Sequence, residues 1–223
     1  MDTQKSQPDT SFALDDSKLQ KLLKLAQTNQ VQSILEFGSG QSTAAFCRVL
    51  KDAHVLSVES SAHYLETTRQ LCDSADGFHQ KPTLTHRPLR WQTHSKRLYL
   101  SYDLSTPKDE IQTNRFDLCF IDGPVQNHTL AGREFILYKV FDRLHEGAII
   151  ALDDSHRKES KLALKNWQNT FGSALQVIHN EQKMVVLRKT SETKQQALGG
   201  RGWLKHHLKI PTVIYKQARY AAD

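Results

Sequence analysis

Ile34-Leu35-Glu36-Phe37-Gly38-Ser39-Gly40-Gln41-Ser42-Thr43 is the stretch that decides the fold. Apolar residues run straight into a Gly-x-Gly turn, which reads as a buried strand ending at a tight bend. An acid, Glu36, stands two residues before the first glycine, and a second apolar run, His54–Val58, ends on another acid, Glu59. Open α/β sheets hold an adenosine in this way, with a glycine turn beside a strand that ends in a carboxylate. The glycines let backbone approach the ligand, and the carboxylate accepts both ribose hydroxyls. The stretch therefore predicts an adenine-ribose cofactor.

Dinucleotide sites add a third glycine, which presses helix against strand around a pyrophosphate. Here that position is Thr43, and Glu36 would repel a nearby pyrophosphate. An acid suits a cofactor that carries a sulfonium and an ammonium. The pattern Glu36-x-Gly38-x-Gly40 followed by Glu59 resembles the first two motifs of the class I S-adenosylmethionine-dependent methyltransferases, in their small bacterial form. The resemblance extends over about residues 31–188 and takes in His86-Arg87-Pro88-Leu89, Tyr102-Asp103-Leu104 and Phe116–Pro124. It implies that Glu36, Gly38, Gly40, Glu59 and Asp122 hold the cofactor, with Ser42 or Thr43 near its methionine carboxylate. One departure stands out. Many members place an acid after the third strand for the adenine amine, whereas this chain has His86-Arg87-Pro88-Leu89-Arg90-Trp91 there. Adenine contact then falls to backbone groups and to Leu89 or Trp91.

Working outward, strands and helices alternate. Helices are expected over Asp15–Thr28, Ser42–Lys51, Ala62–Cys72, Phe135–Leu144 and Lys158–Phe171, from apolar spacing and polar caps. Strands are expected at Val31–Phe37, Val55–Glu59, Leu84–His86, Phe116–Ile121 and Ala148–Leu152, with a closing hairpin of Leu175–His179 and Met184–Arg188. Residues 90–115 are polar and read as a long loop or short elements. The expected fold class is α/β: a Rossmann-like, doubly wound, mostly parallel sheet with an antiparallel last strand. Residues 1–14 read as disordered, 15–188 as the methyltransferase-like domain and 189–223 as a basic extension.

At 223 residues the chain suits one α/β domain. No stretch approaches the roughly 18 apolar residues that span a bilayer, and Met1–Thr10 lacks the apolar core of a signal peptide. Cys47, Cys72 and Cys119 are odd in number and show no C-x-x-C spacing, which argues against a disulfide framework or a zinc site. A cytoplasmic location follows. The formal charge of +6 sits in residues 188–223, where eight Lys+Arg face only Glu192 and Asp223. A glycine-rich hinge at Gly199–Gly202 precedes Trp203-Leu204-Lys205-His206-His207 there. Such an appendage suits an anionic partner, either nucleic acid or a membrane surface, or packs Trp203 on its own domain or on a twin subunit in a homodimer.

Two further strands deliver acids. Phe116–Ile121 leads into Asp122-Gly123-Pro124, and Ala148–Leu152 leads into Asp153-Asp154-Ser155-His156. Neighbouring strands lie roughly 4.8 Å apart, so these acids would share the crevice at the strand ends. Crowded carboxylates repel unless a proton or cation lies between them, and Mg²⁺ is the natural resident. The arrangement resembles the metal-dependent O-methyltransferases, which implies Asp122, Asp153 and Asp154 as metal ligands. The metal would help deprotonate a substrate hydroxyl for in-line attack on the methyl. The plainer alternative gives Asp122 to the turn and Asp154 to a helix cap. Asp153 and Asp154 would also need a bend to face one ion, since adjacent strand residues point oppositely. His156 at the crevice mouth is the expected base, with Asp122 and Asp154 as its catalytic companions, and His128 an alternative. Arg133 and Arg157 could hold an anionic group of the substrate.

Methyl transfer from S-adenosylmethionine to a hydroxyl of a small-molecule or sugar acceptor is the expected activity. Its rivals are an RNA-directed methyltransferase gripping through the basic tail, a non-catalytic binding protein that retains the fold, and a nucleotide-dependent oxidoreductase. The acceptor pocket belongs to variable loops, which fold analogy does not fill in.

Overall fold

The computed structural model describes residues 16–74, 77–106, 109–181, 183–196 and 207–220. The N-terminal segment before residue 16, the Gly199–Gly202 hinge and Trp203 lie outside them. Nine strands form among the described residues: β1 (Ser33–Phe37), β2 (His54–Glu59), β3 (Thr83–His86), β4 (Leu89–His94), β5 (Arg97–Tyr102), β6 (Phe116–Ile121), β7 (Leu144–Leu152), β8 (Leu175–Glu181) and β9 (Met184–Lys189). The described helices are α1 (Asp16–Thr28), α2 (Gln41–Val49), α3 (Ala62–Asp73), α4 (Glu110–Thr113), α5 (Gly132–Val140), α6 (Lys158–Phe171) and α7 (Ile210–Tyr220). None is long and apolar enough to cross a membrane.

Seven strands make one sheet in the order β3-β2-β1-β6-β7-β9-β8. The first five in that order run parallel, and β9 enters antiparallel between β7 and β8. The expected mostly parallel sheet with a late antiparallel strand is what forms.

Strand periodicity divides the core into two layers. Ile34, Leu118, Phe120, Ile149 and Ala151 point to one face, where Leu19, Leu22 and Leu23 of α1 and Phe46 of α2 cover them. Their neighbours Leu35, Phe37, Cys119, Ile121, Ile150 and Leu152 point to the other, under Phe135 and Leu137 of α5 and Trp167 of α6. Because both faces are covered, the central strands are apolar throughout rather than alternating. All three cysteines are free and buried, and burial pushes the Cys47 thiol up to about 12.

Two segments differ from the sequence expectation. Residues 90–115 contain a hairpin, β4 against β5, turning at Ser95 and Lys96 with φ of 47° and 62°. The expected helix over 135–144 instead runs from Gly132 to Val140. A single 3₁₀ turn, Phe141–Arg143, then hands the chain to β7, which begins at Leu144 rather than at Ala148. The expected domain boundary at 188 falls one residue short of the end of β9. Lys189 closes that strand fully buried, donating to the carbonyls of Phe141 and Leu144. The tail's helix α7 folds back onto the domain, where Val213 packs with Leu100 and Leu130 and Gln217 donates to the His128 carbonyl.

Candidate active site

Strand order reverses between β1 and β6, and in such sheets ligands bind at that switch point, outside the carboxyl ends of the strands. A cleft of about 320 Å³ opens there, within the range of small-molecule sites. Lys18, Gly38, Glu59, Tyr64, Tyr102, Asp122, Arg133, Asp153, Asp154 and Arg157 are among its lining residues.

The glycine turn forms the floor. Gly38 has φ +99° and donates its N–H to Val58 O at 2.9 Å. A Cβ on Gly38 would lie 2.7 Å from the Gly123 nitrogen, and one on Gly123 would collide with the Tyr102 hydroxyl. The loops after β1 and β6 thus touch backbone to backbone. Behind the turn, Glu36 is fully buried and accepts from Ser42 Oγ at 2.5 Å, Thr43 Oγ1 at 2.5 Å and Ser57 Oγ at 2.6 Å. Burial raises this carboxyl to about 7, against the opposing pull of the three hydroxyls. Thr43 Oγ1 also accepts the Gly40 N–H at 3.0 Å, which pins the turn. Glu36, Ser42 and Thr43 therefore shape the floor from beneath, with their side chains bonded to one another.

Glu59 ends β2 at the cleft wall. Its Oε1 accepts from the Ser60 and Ser61 amides at 2.6 and 2.8 Å, and its Oε2 from the Ser39 amide at 3.2 Å. These bonds fix the carboxylate, while Oε2, with a single bond, keeps capacity for hydroxyl donors. Tyr64, in the first turn of α3, adds an aromatic ring to the lining.

On the opposite wall the three acids converge. Asp122, Asp153 and Asp154 each bring one carboxylate oxygen within 4.8 Å of the others. The bend that the sequence required is present, because Asp154 has φ +54° and turns its side chain back to the crevice. Burial pushes Asp122 up to about 6 although Arg133 pulls it down. Protein cations fill the space between the acids. Lys18 Nζ donates to Asp153 Oδ1 at 2.6 Å and to Oδ2 at 2.9 Å. Arg133 reaches Asp122 and Asp154 at 3.4 Å each and also donates to the carbonyls of Pro124 and Asp153. Arg157 pairs with Asp154 at 3.1 Å.

Other expected site residues fall elsewhere. His156 is exposed and lines a separate shallow groove with Asn180, Glu181 and Lys183, so it does not meet Asp122. Neither His128, Leu89 nor Trp91 is in the cleft lining. Sequence reasoning missed Lys18, Tyr64 and Tyr102. Tyr102 is completely buried, and its hydroxyl lacks a hydrogen-bond partner among the described residues. Only its place in the Tyr102-Asp103-Leu104 motif hinted at a role.

Comparisons with known proteins agree with this geometry. No curated protein sequence matches the chain. Among solved structures it resembles a candidate O-methyltransferase from Klebsiella pneumoniae, at 20% identity and a TM-score of 0.61 over 81% of this chain and 83% of that one. The O-methyltransferase TomG from Streptomyces achromogenes, solved with S-adenosylmethionine, is 17% identical with a TM-score of 0.56, covering 81% and 82%. The O-methyltransferase from Bacillus cereus, solved with S-adenosylhomocysteine, is 15% identical with a TM-score of 0.57, covering 80% and 84%. A family model described as a methyltransferase domain matches residues 35–155, from the glycine-turn strand through the paired acids. With the strand order and cleft above, that match places this chain in the methyltransferase-domain family, among the class I, S-adenosylmethionine-dependent enzymes.

Proposed function

We propose that this enzyme methylates a hydroxyl oxygen of a small-molecule acceptor. The carrying observation is that one cleft holds the Gly38 turn and Glu59 on one wall and the Asp122–Asp153–Asp154 cluster on the other. The structural neighbours described as O-methyltransferases support the same reading.

The donor wall suits S-adenosylmethionine. Glu59 Oε2 would accept from the ribose hydroxyls, Tyr64 would flank the nucleoside, and the crowded Gly38–Gly123 contact leaves backbone as the surface that the ligand meets. The Tyr102 hydroxyl, without a partner among the described residues, is a buried donor that a ligand atom would satisfy. Glu36, Ser42 and Thr43 would act by holding the turn. The bound cofactor supplies an electrophilic methyl on a sulfonium. The chain's own contribution is to fix the acceptor oxygen in line with that methyl and to exclude water. Gln126, Asn127 and Arg157 line the acceptor end and would orient the substrate.

A divalent metal does not fit the acid cluster as it stands. Mg²⁺ requires oxygens about 2.0–2.1 Å away, and the Lys18 ammonium, 2.6 and 2.9 Å from the two Asp153 oxygens, already sets a positive charge against that carboxylate. No metal step is therefore assigned.

Incubation with methyl-labelled S-adenosylmethionine and a panel of phenols, catechols and polyols tests the proposal. Label should appear on an acceptor oxygen, read as the methoxy resonance by NMR. Labelling only of nitrogen or carbon acceptors, or saturable cofactor binding with no transfer to any hydroxyl, would overturn it.

A further inference from the structure

Three carboxylates converge in the cleft, and three side-chain cations answer them: Lys18, Arg133 and Arg157. The most committed of these is Lys18. It is 8% exposed, comes from α1 outside the sheet, and straddles both oxygens of Asp153. It is also a cleft-lining residue, so its ammonium lies on the side where an acceptor would bind. Its neighbour Leu19, with Leu22 and Leu23, is buried against the sheet, which anchors the helix and limits how far Lys18 can withdraw. A buried ammonium without its carboxylate is strongly disfavoured, so Lys18 and Asp153 hold each other in place.

We infer that Lys18 is the resident cation of this acid cluster and occupies the role that a divalent metal would otherwise take. Its Nζ carries three N–H donors, and Asp153 takes two of them. Among the described residues the third has no partner and remains for the oxygen of an acceptor, where a fixed positive charge stabilises the negative charge on that oxygen as its proton passes to the Asp122 carboxylate of the same cleft and the methyl leaves its sulfonium, which becomes a neutral thioether. Arg133 performs the parallel service for Asp122 and Asp154, bridging them so that the three acids coexist without an ion. A divalent cation and the ammonium cannot share this space, because like charges a few ångströms apart repel strongly where water is scarce. This inference rests on the hydroxyl-acceptor reading of the same cleft.

Titration of the full chain with Mn²⁺, followed by calorimetry and by the Mn²⁺ EPR signal, tests it. S-adenosylmethionine binding is measured on the same preparations. The wild-type protein should show no saturable Mn²⁺ uptake. Lys18→Ala frees the Asp153 carboxylate and should bind Mn²⁺ on the order of tenfold or more tightly than wild type, since one unit of nearby positive charge is gone. Asp153→Asn in that background should remove the gain. Saturable Mn²⁺ binding by wild type that Asp153→Asn abolishes would overturn the inference. So would a folded Lys18→Ala protein that gains no Mn²⁺ affinity. The wild-type titration decides even if Lys18→Ala does not fold. Loss of cofactor binding in the wild-type protein would instead count against the methyl-transfer reading, because the two readouts are independent.

Discussion

Glu36 of β1 and Ser57 of β2 are register partners, and the serine hydroxyl donates to the glutamate at 2.6 Å in the dry interior beneath the glycine turn. Burial raises the pKa of this carboxyl to about 7 in the native state, well above its ordinary value of 4.5. Between those values the native protein binds the extra proton, so stability is greatest below pH 4.5 as far as this group is concerned and is lost as pH rises through 7. The contribution is roughly 3 kcal/mol. Glu36→Gln, neutral throughout, should flatten the fall in melting temperature between pH 5 and pH 8. Parallel pH profiles for wild type and variant would show that Glu36 does not titrate in this window.

Crowding between Gly38 and Gly123 leads to a second expectation. Gly38→Ala meets both a positive φ and the Gly123 backbone, and Gly123→Ala meets Tyr102 and Gly38. Each should cost about 1–3 kcal/mol of stability or more and weaken cofactor binding. Gly40→Ala should be far milder, because nothing lies within 4 Å of its added Cβ. Thermal melts on the three variants rank them directly.

Glu59→Ala should weaken S-adenosylmethionine binding on the order of 100-fold, the loss of charge-assisted bonds to two hydroxyls. Calorimetry reads this, and Glu59→Gln, which retains one carbonyl acceptor, should fall between. Unchanged affinity in Glu59→Ala would remove Glu59 from the cofactor site.

Glu134 of α5 is buried and accepts from Tyr138 Oη and Asn166 Nδ2, both at 2.9 Å. Burial raises its carboxyl above the ordinary range. Glu134→Ala strands these donors in the α5–α6 interface and should destabilise the fold by about 3 kcal/mol, measured by urea unfolding. Tyr138→Phe should cost about 1 kcal/mol by the same measurement.

The sheet was legible because its central strands are covered on both faces and so announce themselves as short apolar runs. Phe116–Ile121 and Lys158–Phe171 match their expected bounds. The β4–β5 hairpin was not legible. Its turn residues, Ser95 and Lys96, adopt positive φ without the Asn-Gly or Asp-Gly that signals such turns, and its packing partner Phe135 lies far along the chain beside Tyr99. The acids Asp122, Asp153 and Asp154 could be read from their places at strand ends. Lys18 could not, because a lysine on an amphipathic helix reads as a solvated charge until the fold brings it to Asp153. His156 misled for the converse reason: proximity in sequence to Asp153 and Asp154 did not carry across the turn, which aims it into another groove.

Lys18 meets a partner 135 residues further along the chain. During synthesis from the N-terminus, α1 emerges long before β7, so its ammonium has no carboxylate to join until roughly two-thirds of the polypeptide exists. The electrical balance of the cleft is thus completed late, after the strands on both sides of the switch point have been made. A chain truncated before Asp153 would still contain Glu59 and Asp122 but would lack Asp153 and Asp154, and so the partner that Lys18 meets.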